Sequence, residues 1–430
     1  MAEFPSKTAE IRRLARTDEE AAKRLLSGLL RELFGIEARS IRFNHDQYSL
    51  NSLNGFLEAG TEQFFFKFHQ EEGEEAMAGE YYRADILARA GLPVDQPVHM
   101  SALPGEQILI YRRRSDPRFS DVLRALDMMP DAEAEARAVQ AERDLSEKLL
   151  AVYRKTLHPV SAQEVAAEPI HRLFHERLID PVTGVMPGGR YASFYVGQAF
   201  RFPGAELDWR EFSNARFVIN GRRYRLTVGE LFAKAGERLQ PLRLADAGGV
   251  VAHGDAHNAN VWYAQGERAP QLVFFDPAFA GSNVPALLAE VKATFHNIFA
   301  HPFWLYDPTE ATNRYRARAR YVNGTLEVET DWALTRIRRS LLEVKGRHLW
   351  KPLLQELHVR GMLPSDWRSV IRLALFLCPT LVMNLRASTA NHTPTSSLVG
   401  FSVAVMVGSE PVGEEDEVTS FLDAIDPVKA

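Results

Sequence analysis

The chain has 430 residues, of which 46% are hydrophobic and 25% are charged. This balance is that of an ordinary globular protein, and it excludes a mostly disordered chain, a collagen-like chain and a coiled-coil rod. Lys plus Arg number 51 and Asp plus Glu number 56, so the formal net charge is −5. That charge excludes a protein that binds polyanions over its whole surface, and we expect no nucleic-acid partner.

The single cysteine, Cys378, excludes an intramolecular disulfide and a zinc site built of thiolates. The first ten residues contain no apolar stretch of the signal-peptide type. The longest apolar stretch, over residues 370–385, contains Arg372 and Pro379 and is too short to span a bilayer. We therefore expect a cytoplasmic protein that has no membrane partner.

The first 112 residues predict a small antiparallel sheet accompanied by helices, which is an α+β lobe. The spacing of apolar residues predicts an amphipathic helix over Ile11–Leu33, with Gly35 as its C-cap, and a second helix from about Glu74 to Ala90. Five strands are predicted by short apolar runs between turn residues: Ser40–Phe43, Gly55–Ala59, Phe64–His69, Val98–Met100 and Gln107–Tyr111.

Beyond residue 112 the pattern becomes mainly helical, so we predict two domains, residues 1–112 and 113–430. A long helix is predicted over Ala132–Leu157, and most of residues 331–385 is predicted to be helical. Residues 165–227 form an irregular insertion that ends in an Asn220-Gly221 hairpin signal. Short strands are predicted on both sides of the polar loop 253–260.

This loop is the densest group of chemically active residues in the sequence. It reads His253-Gly254-Asp255-Ala256-His257-Asn258-Ala259-Asn260, and an apolar strand further on ends in Asp276. In phosphoryl transfer, one Asp accepts or orients the proton of the attacking hydroxyl, while an Asn and a second Asp hold magnesium. The order and spacing therefore favour Asp255 as the catalytic residue and Asn260 and Asp276 as magnesium ligands.

Two other interpretations of the loop remain open. Polar turns rich in Asp, Asn and His are common and are usually structural. A hydrolytic metal site could instead use His253, Asp255 and His257, whose side chains would share one face if the segment were a strand.

Lys67 is the second signal, because it lies in the apolar run Phe64-Phe65-Phe66-Lys67-Phe68. An ammonium group is costly to bury unless it is paired. Glu80 lies on the same face of the next predicted helix as Met77, Ala84 and Leu87, so it is the acidic residue that could pair with Lys67. Such a pair holds a lysine on nucleotide phosphates in kinases. The alternative is an edge-strand lysine that reaches solvent.

A third, weaker signal is the predicted loop from Ser49 to Gly55, which includes Ser52 and Asn54. It occupies the position where a kinase covers the phosphates, and backbone N–H groups with Ser and Asn side chains can bind phosphate. The sequence contains no G-x-G-x-x-G and no Walker A motif. Ser52 and Asn54 are therefore predicted to bind nucleotide by position alone.

These residues together resemble the aminoglycoside phosphotransferase and choline kinase branch of the protein-kinase-like superfamily. The resemblance is carried by His253-Gly254-Asp255 with Asn260, by Phe275-Asp276-Pro277, and by Lys67 with Glu80. It covers about residues 10–160 and 228–300. One departure is Leu287, at the position where the family commonly has an aspartate that braces the loop.

The resemblance implies a two-lobed protein-kinase-like fold, with a small antiparallel-sheet N-terminal lobe and a mainly helical C-terminal lobe that carries the insertion. It implies ATP and Mg²⁺ as cofactors, Asp255 as the catalytic base and Lys67, held by Glu80, on the phosphates. His253 and His257 would support the loop. The expected function is transfer of the γ-phosphate of ATP to a hydroxyl of a small molecule, such as an amino alcohol, a sugar or an aminoglycoside-like compound. A catalytically inactive nucleotide-binding protein and a metallohydrolase are the alternatives.

Overall fold

The computed structural model describes residues 6–44, 52–69, 83–101, 103, 105–266, 269–387 and 391–429. The chain divides into two compact units. The first comprises Met1–Asp85, Pro93–Asp116 and Phe275–Ala278, and the second comprises Ile86–Leu92, Pro117–Phe274 and Phe279–Ala430. The short segment Phe275–Ala278 therefore belongs to the first unit although it lies far along the chain.

The first unit begins with two helices, α1 (Lys7–Thr17) and α2 (Glu19–Phe34). The prediction of one continuous helix over Ile11–Leu33 is wrong at Asp18, whose backbone is not helical (φ −153°, ψ 85°) and interrupts the helix. The Asp18 carboxylate accepts a hydrogen bond from the Ala21 N–H and caps the start of α2. Gly35 ends α2 in the left-handed conformation, as predicted.

A five-stranded antiparallel sheet forms the rest of the first unit, with strand order β1-β2-β3-β5-β4. The strands are β1 (Ser40–Phe43), β2 (Ser52–Ala59), β3 (Glu62–His69), β4 (His99–Ser101) and β5 (Ile108–Arg112). Because β2 begins at Ser52, the prediction that Ser52 and Asn54 lie in a loop is wrong. Gly55 lies in β2 between Phe43 and Phe66, and a side chain there would collide with the Arg42 carbonyl oxygen.

Alternation along β3 separates its apolar face from the face that carries Lys67. Phe64, Phe66 and Phe68 are buried in a core that includes residues of α1 and α2. Since successive side chains of a strand point to opposite faces, Lys67 lies on the face opposite this core. The predicted helix from Glu74 begins outside the described residues, and its described part is α3 (Ala84–Ala90).

The second unit is mainly helical. Its α-helices are α4 (Phe119–Met128), α5 (Ala132–Thr156), α6 (Ala162–Ala166), α7 (Gly189–Tyr195), α8 (Trp209–Asn214), α9 (Val228–Arg238), α10 (Val291–Thr294), α11 (Pro308–Arg314), α12 (Arg336–Lys345), α13 (Lys351–Val359), α14 (Trp367–Val382), α15 (Pro394–Gly408) and α16 (Glu417–Ala424). Two π-helical turns, Phe295–Phe299 and Gly346–Trp350, directly follow α10 and α12. Five short 3₁₀ helices occur among the described residues at Pro169–Leu173, His175–Arg177, Pro241–Arg243, Ala245–Ala247 and Asn258–Asn260.

The strands of the second unit form small sheets. They are β6 (Phe200–Phe202), β7 (Ala205–Leu207), β8 (Arg216–Ile219), β9 (Arg222–Arg223), β10 (Gly249–Ala252), β11 (Val261–Ala264), β12 (Gln271–Phe274), β13 (Gly281–Pro285), β14 (Ala317–Val322) and β15 (Thr325–Thr330). Strand β10 pairs with β13, and β11 pairs with β12. The loop 253–260 connects β10 to β11, so each end of the loop is attached to a strand of a different two-stranded sheet. The insertion and the C-terminal part share a four-stranded sheet of order β14-β15-β8-β9, in which β15 and β8 are parallel.

The predicted α+β class is confirmed, with an antiparallel sheet near the N-terminus and a mainly helical remainder. The sequence has a second Asn-Gly pair, Asn323-Gly324, between β14 and β15. Both Asn-Gly pairs form hairpin turns, with Asn220 and Asn323 at positive φ (48° and 49°) as tight two-residue turns require. Within the described parts of the chain, none of the helices combines the length and the apolarity that crossing a bilayer requires.

Candidate functional site

The first unit brings Lys67 and Asp276 together. The Nζ atom of Lys67 lies 2.5 Å from Oδ1 of Asp276, and the Lys67 side chain is only 13% exposed. The pairing meets the requirement that a largely buried ammonium should have a counter-charge. Lys67 also lies directly opposite the buried Asn54 on the neighbouring strand. Glu80, the partner predicted for Lys67, lies outside the described residues. For Ser52 the structure describes the backbone but not the side chain.

Asp276 has an unusual backbone. Its φ is 55°, in the left-handed region that residues other than glycine seldom occupy, although Asp tolerates it better than most. Such conformations cost free energy and are concentrated at functional sites. The backbone conformation and the Lys67 ion pair together define where the Asp276 carboxylate lies within the first unit.

The second unit holds the loop 253–260 through its own polar groups. Gly254 has φ 77°, and a side chain there would collide with the carbonyl oxygen of Phe279, so glycine is required. The backbone carbonyl of Asp255 accepts hydrogen bonds from the His257 N–H (2.9 Å) and from Nδ2 of Asn260 (3.0 Å). The Asp255 N–H donates to Nδ1 of His253 (3.3 Å). The sequence prediction that His253 supports the loop accords with this bond.

Basic side chains lie close to the Asp255 carboxylate. Nζ of Lys292 lies 3.5 Å from Oδ1, and Nε2 of His257 lies 3.7 Å from Oδ2. Burial raises the pKa of Asp255, but the electrostatic effect of nearby basic groups, largest for Lys292, outweighs burial and lowers the pKa below its usual value. Asp255 is therefore an ionised carboxylate at neutral pH, able to accept a hydrogen bond from a hydroxyl.

Three residues that act on this loop could not be identified from the sequence. Lys292 comes from α10, Arg177 from the 3₁₀ helix His175–Arg177 in the insertion, and Asn297 from the π-helical turn Phe295–Phe299. Their only signal in the sequence is that Lys292 and Asn297 are polar residues in a strongly apolar stretch. Periodicity could not have paired them with Asp255, because nothing in their spacing points to the loop.

Asn297 accepts a hydrogen bond from the loop, which the apolar side chain of Leu287 cannot do. Its Oδ1 accepts a hydrogen bond from the N–H of Asn258 in the loop (2.7 Å), and its backbone carbonyl accepts one from the buried Arg338 (2.5 Å). Arg338 in turn forms a buried ion pair with Asp127 (2.5 Å). Buried hydrogen bonds of this kind strongly define one conformation, because breaking them leaves unsatisfied groups. The loop is thus fixed by α4, α12 and the π-helical turn.

The donor atoms suit magnesium better than a transition metal. Since Nδ2 of Asn260 donates to the Asp255 carbonyl, the amide oxygen is the Asn260 atom left to coordinate a cation. An amide oxygen and the Asp276 carboxylate are hard ligands, and Mg²⁺ takes one or two such groups together with water and phosphate oxygens. Each of these two groups, taken within its own unit, is of the chemical type that Mg²⁺ binds.

The alternative metal site of His253, Asp255 and His257 does not form. Among the described residues, no three His, Cys, Asp or Glu side chains group closely enough to hold a metal ion. Nδ1 of His253 is occupied by the Asp255 N–H, and the His253 ring packs against Phe274 with ring centres 5.2 Å apart. Both contacts of His253 are therefore with protein groups.

Comparison with models of protein families gives no match, and comparison of the sequence with curated proteins gives none either. Solved structures do resemble the chain. Spectinomycin phosphotransferase APH(9)-Ia, solved with ADP and spectinomycin, is 14% identical; the match covers 90% of this chain and 97% of that one, with a TM-score of 0.40. The apo form of a thermostable mutant of aminoglycoside phosphotransferase APH(4)-Ia is 12% identical, with coverages of 88% and 98% and a TM-score of 0.44.

The microcompartment-associated aminopropanol kinase is 11% identical, and the match covers 90% of this chain and 96% of that one, with a TM-score of 0.41. Two of these structures are aminoglycoside phosphotransferases, the group that the motifs around Asp255 resemble. Similarity at this level does not define the activity or the substrate of this chain.

Proposed function

We propose that this protein is a phosphotransferase that moves the γ-phosphate of ATP to a hydroxyl group of a small molecule and requires Mg²⁺. The observation that carries the proposal is the state of the two acidic residues: Asp276 is paired with Lys67, and Asp255 is held ionised in a braced loop. Phosphoryl transfer depends on positioning and on charge stabilisation, and these residues offer both.

Each residue has a definite task in this proposal. Asp255 accepts a hydrogen bond from the acceptor hydroxyl and takes its proton as the phosphate bond forms. Asn260 and Asp276 would hold magnesium, which would supply positive charge to the phosphate groups. Lys67 contacts the phosphates with the help of Glu80, and Ser52 and Asn54 bind the nucleotide from β2. His253 and His257 keep Asp255 in place.

The acceptor class is tested by a screen. The full chain is incubated with MgATP and a library of amino alcohols, sugars and aminoglycosides, while ADP release and acceptor mass are measured. We expect ADP and a product heavier by one phosphoryl group with at least one acceptor, and neither from Asp255→Asn. If no acceptor raises ADP release above that of Asp255→Asn, the protein is not a kinase of this type and the inactive nucleotide-binding alternative is preferred.

Magnesium dependence is tested separately by calorimetry. ATP should bind tightly with Mg²⁺ and weakly with EDTA. Without a cation the Asp276 carboxylate repels phosphate, and the Asn260 amide oxygen cannot donate a hydrogen bond to it. Equal affinity under both conditions would contradict the roles of Asn260 and Asp276. Binding of MgATP without any turnover would again favour the inactive alternative.

A further inference from the structure

Lys292 is a buried lysine that the proposed roles above do not use. It is 3% exposed and lies in α10, directly before the π-helical turn. A buried ammonium is costly unless charged or polar partners surround it closely. The described partners of Lys292 are Asp255, at 3.5 Å, and His296, at 3.0 Å.

The two carboxylate oxygens of Asp255 are not equivalent. Oδ1 is closed to solvent and accepts no hydrogen bond from the described residues, and it is the oxygen nearest to Lys292. The side chain as a whole is 15% exposed. An acceptor hydroxyl can therefore reach the carboxylate only at Oδ2, the oxygen near His257.

Lys292 is itself held from the far side. An ammonium group only donates, so Nε2 of His296 accepts, and the proton of the His296 ring lies on Nδ1, which donates to the hydroxyl of Tyr306 (2.5 Å). Burial, reinforced by the charge of Lys292, lowers the pKa of His296 well below its usual value and keeps this ring neutral. The tautomer that accepts from Lys292 is thus the one that the surroundings favour.

The start of α10 is anchored as well. Glu290, two residues before Lys292, accepts hydrogen bonds from Tyr153 (2.5 Å) and from the buried Lys345 (3.0 Å). All three side chains are buried. A satisfied polar network in the interior has little freedom to rearrange. The backbone that carries Lys292 is therefore fixed on the N-terminal side, and its ammonium is fixed by His296.

We infer that Lys292 is a positioning residue that fixes the buried oxygen of Asp255, so that Oδ2 faces the acceptor hydroxyl. The inference rests on the proposed function, because it takes Asp255 as the group that receives the hydroxyl. The residue that orients the Asp255 carboxylate would then lie in α10, outside the loop 253–260.

The test compares Lys292→Met with Lys155→Met, which removes an exposed lysine from α5. ADP release from MgATP is measured on the full chain with the acceptor from the screen, or with water alone, and MgATP affinity is measured by calorimetry. We expect kcat of Lys292→Met to fall roughly 100-fold, as a misplaced catalytic group does, with nucleotide affinity changed less than about threefold. Lys155→Met should match the wild type.

A second pair of measurements separates positioning from general support of the fold. Ethylammonium added to Lys292→Ala should restore part of the turnover, whereas a loss caused by poor folding would not respond. Lys292→Gln keeps an N–H donor, so its kcat should fall less than that of Lys292→Met. It also provides a second variant in case Lys292→Met does not accumulate as folded protein. Wild-type turnover in Lys292→Met, or a loss of MgATP affinity as large as the loss of kcat, would overturn the inference.

A crystal structure of Lys292→Met decides the matter even if the wild type proves to have no turnover. That result would defeat the proposed function, whereas the present inference concerns the orientation of a carboxylate. Rotation of the Asp255 side chain away from its wild-type position is the expected outcome. An Asp255 carboxylate that keeps its orientation without Lys292 would overturn the inference.

Discussion

Substitutions of Asp255 and of Lys67 should affect different steps, the first turnover and the second MgATP affinity. Replacing Asp255 with Asn keeps the shape of the side chain but removes the charge that accepts the hydroxyl proton. Turnover should fall by about 100-fold or more, while MgATP affinity stays nearly intact. Kinetics and calorimetry on the same preparation check this, with Asp144→Asn on α5 as the control. Weak MgATP binding with normal turnover would instead exchange the roles of Asp255 and Asp276.

Replacing Lys67 with Met removes the counter-charge of Asp276 and a contact to phosphate. MgATP affinity should fall roughly 10- to 100-fold, the range expected when a hydrogen bond to a charged group is lost. Lys23→Met, at the surface of α2, is the matched control. Glu80→Gln should produce a smaller defect of the same kind, and the double variant should not show the sum of both losses. Additive losses would contradict a shared contact.

Single residues could be predicted from the sequence where local context made them anomalous. Lys67 is a charge in a run of phenylalanines, and Asp255 and Asn260 lie at a specific spacing. The contacts of these residues could not be predicted. The pairing of Asp276 with Lys67, and the contacts of Lys292 and Asn297 with the loop, arise only from tertiary structure. Burial of the catalytic loop against a π-helical turn creates those contacts, and no sequence period reports such a turn.

The π-helical turn Phe295–Phe299 fixes the catalytic loop through Asn297, so the element can be tested through that residue. Asn297→Ala leaves the buried N–H of Asn258 without an acceptor and should lower the free energy of unfolding by about 1–3 kcal/mol. Asn297→Asp retains the acceptor oxygen and is the control. Urea denaturation gives the stability, and hydrogen exchange at Asn258 should become faster in the Ala variant alone. Unchanged exchange would show that other contacts hold the loop.

Elements were predictable where a local signal is sufficient by itself. The Asn-Gly turns and the Gly35 cap depend on backbone conformations that few residues adopt, and both were predicted. The break at Asp18 was missed because the apolar period continues through it, whereas the capping bond of Asp18 arises only once the chain bends. The early start of β2 was missed because Ser and Asn are uncommon in strands, and pairing with β3 overrides that preference.

The whole molecule should lose stability in acid, partly through His392. Burial lowers the pKa of His392 to about 4, below the usual value of 6.5. Below pH 6.5 the unfolded chain therefore binds a proton that the folded chain does not, so the free energy of unfolding decreases as pH falls from 6.5 towards 4. At pH 5 this residue alone should cost about 2 kcal/mol. The buried His296 and the half-buried His301, whose pKa values desolvation also lowers, add to the same trend.

Urea denaturation between pH 8 and pH 4.5 measures this dependence. His392→Gln cannot take up the proton and should have a shallower loss of stability in acid than the wild type, whatever its stability at pH 8. His358→Gln, an exposed histidine of α13, should follow the wild type. A wild-type curve that stays flat down to pH 5 would show that His392 keeps an ordinary pKa in the folded chain.

At the scale of the molecule, the general class was predictable and the joining of distant segments was not. The insertion and the C-terminal part matched no familiar pattern in the sequence, yet β8 of one pairs in parallel with β15 of the other. Parallel pairing between remote segments depends on the packing of the elements between them, which periodicity does not encode.

The discontinuous make-up of the first unit has a consequence for how the chain matures during synthesis. Residues 1–116 can collapse as they leave the ribosome, but the segment Phe275–Ala278 that completes the unit is made much later. Until then the ion pair between Lys67 and Asp276 cannot form. A fragment cut after Asp116 would lack this segment, and with it the ion pair between Lys67 and Asp276.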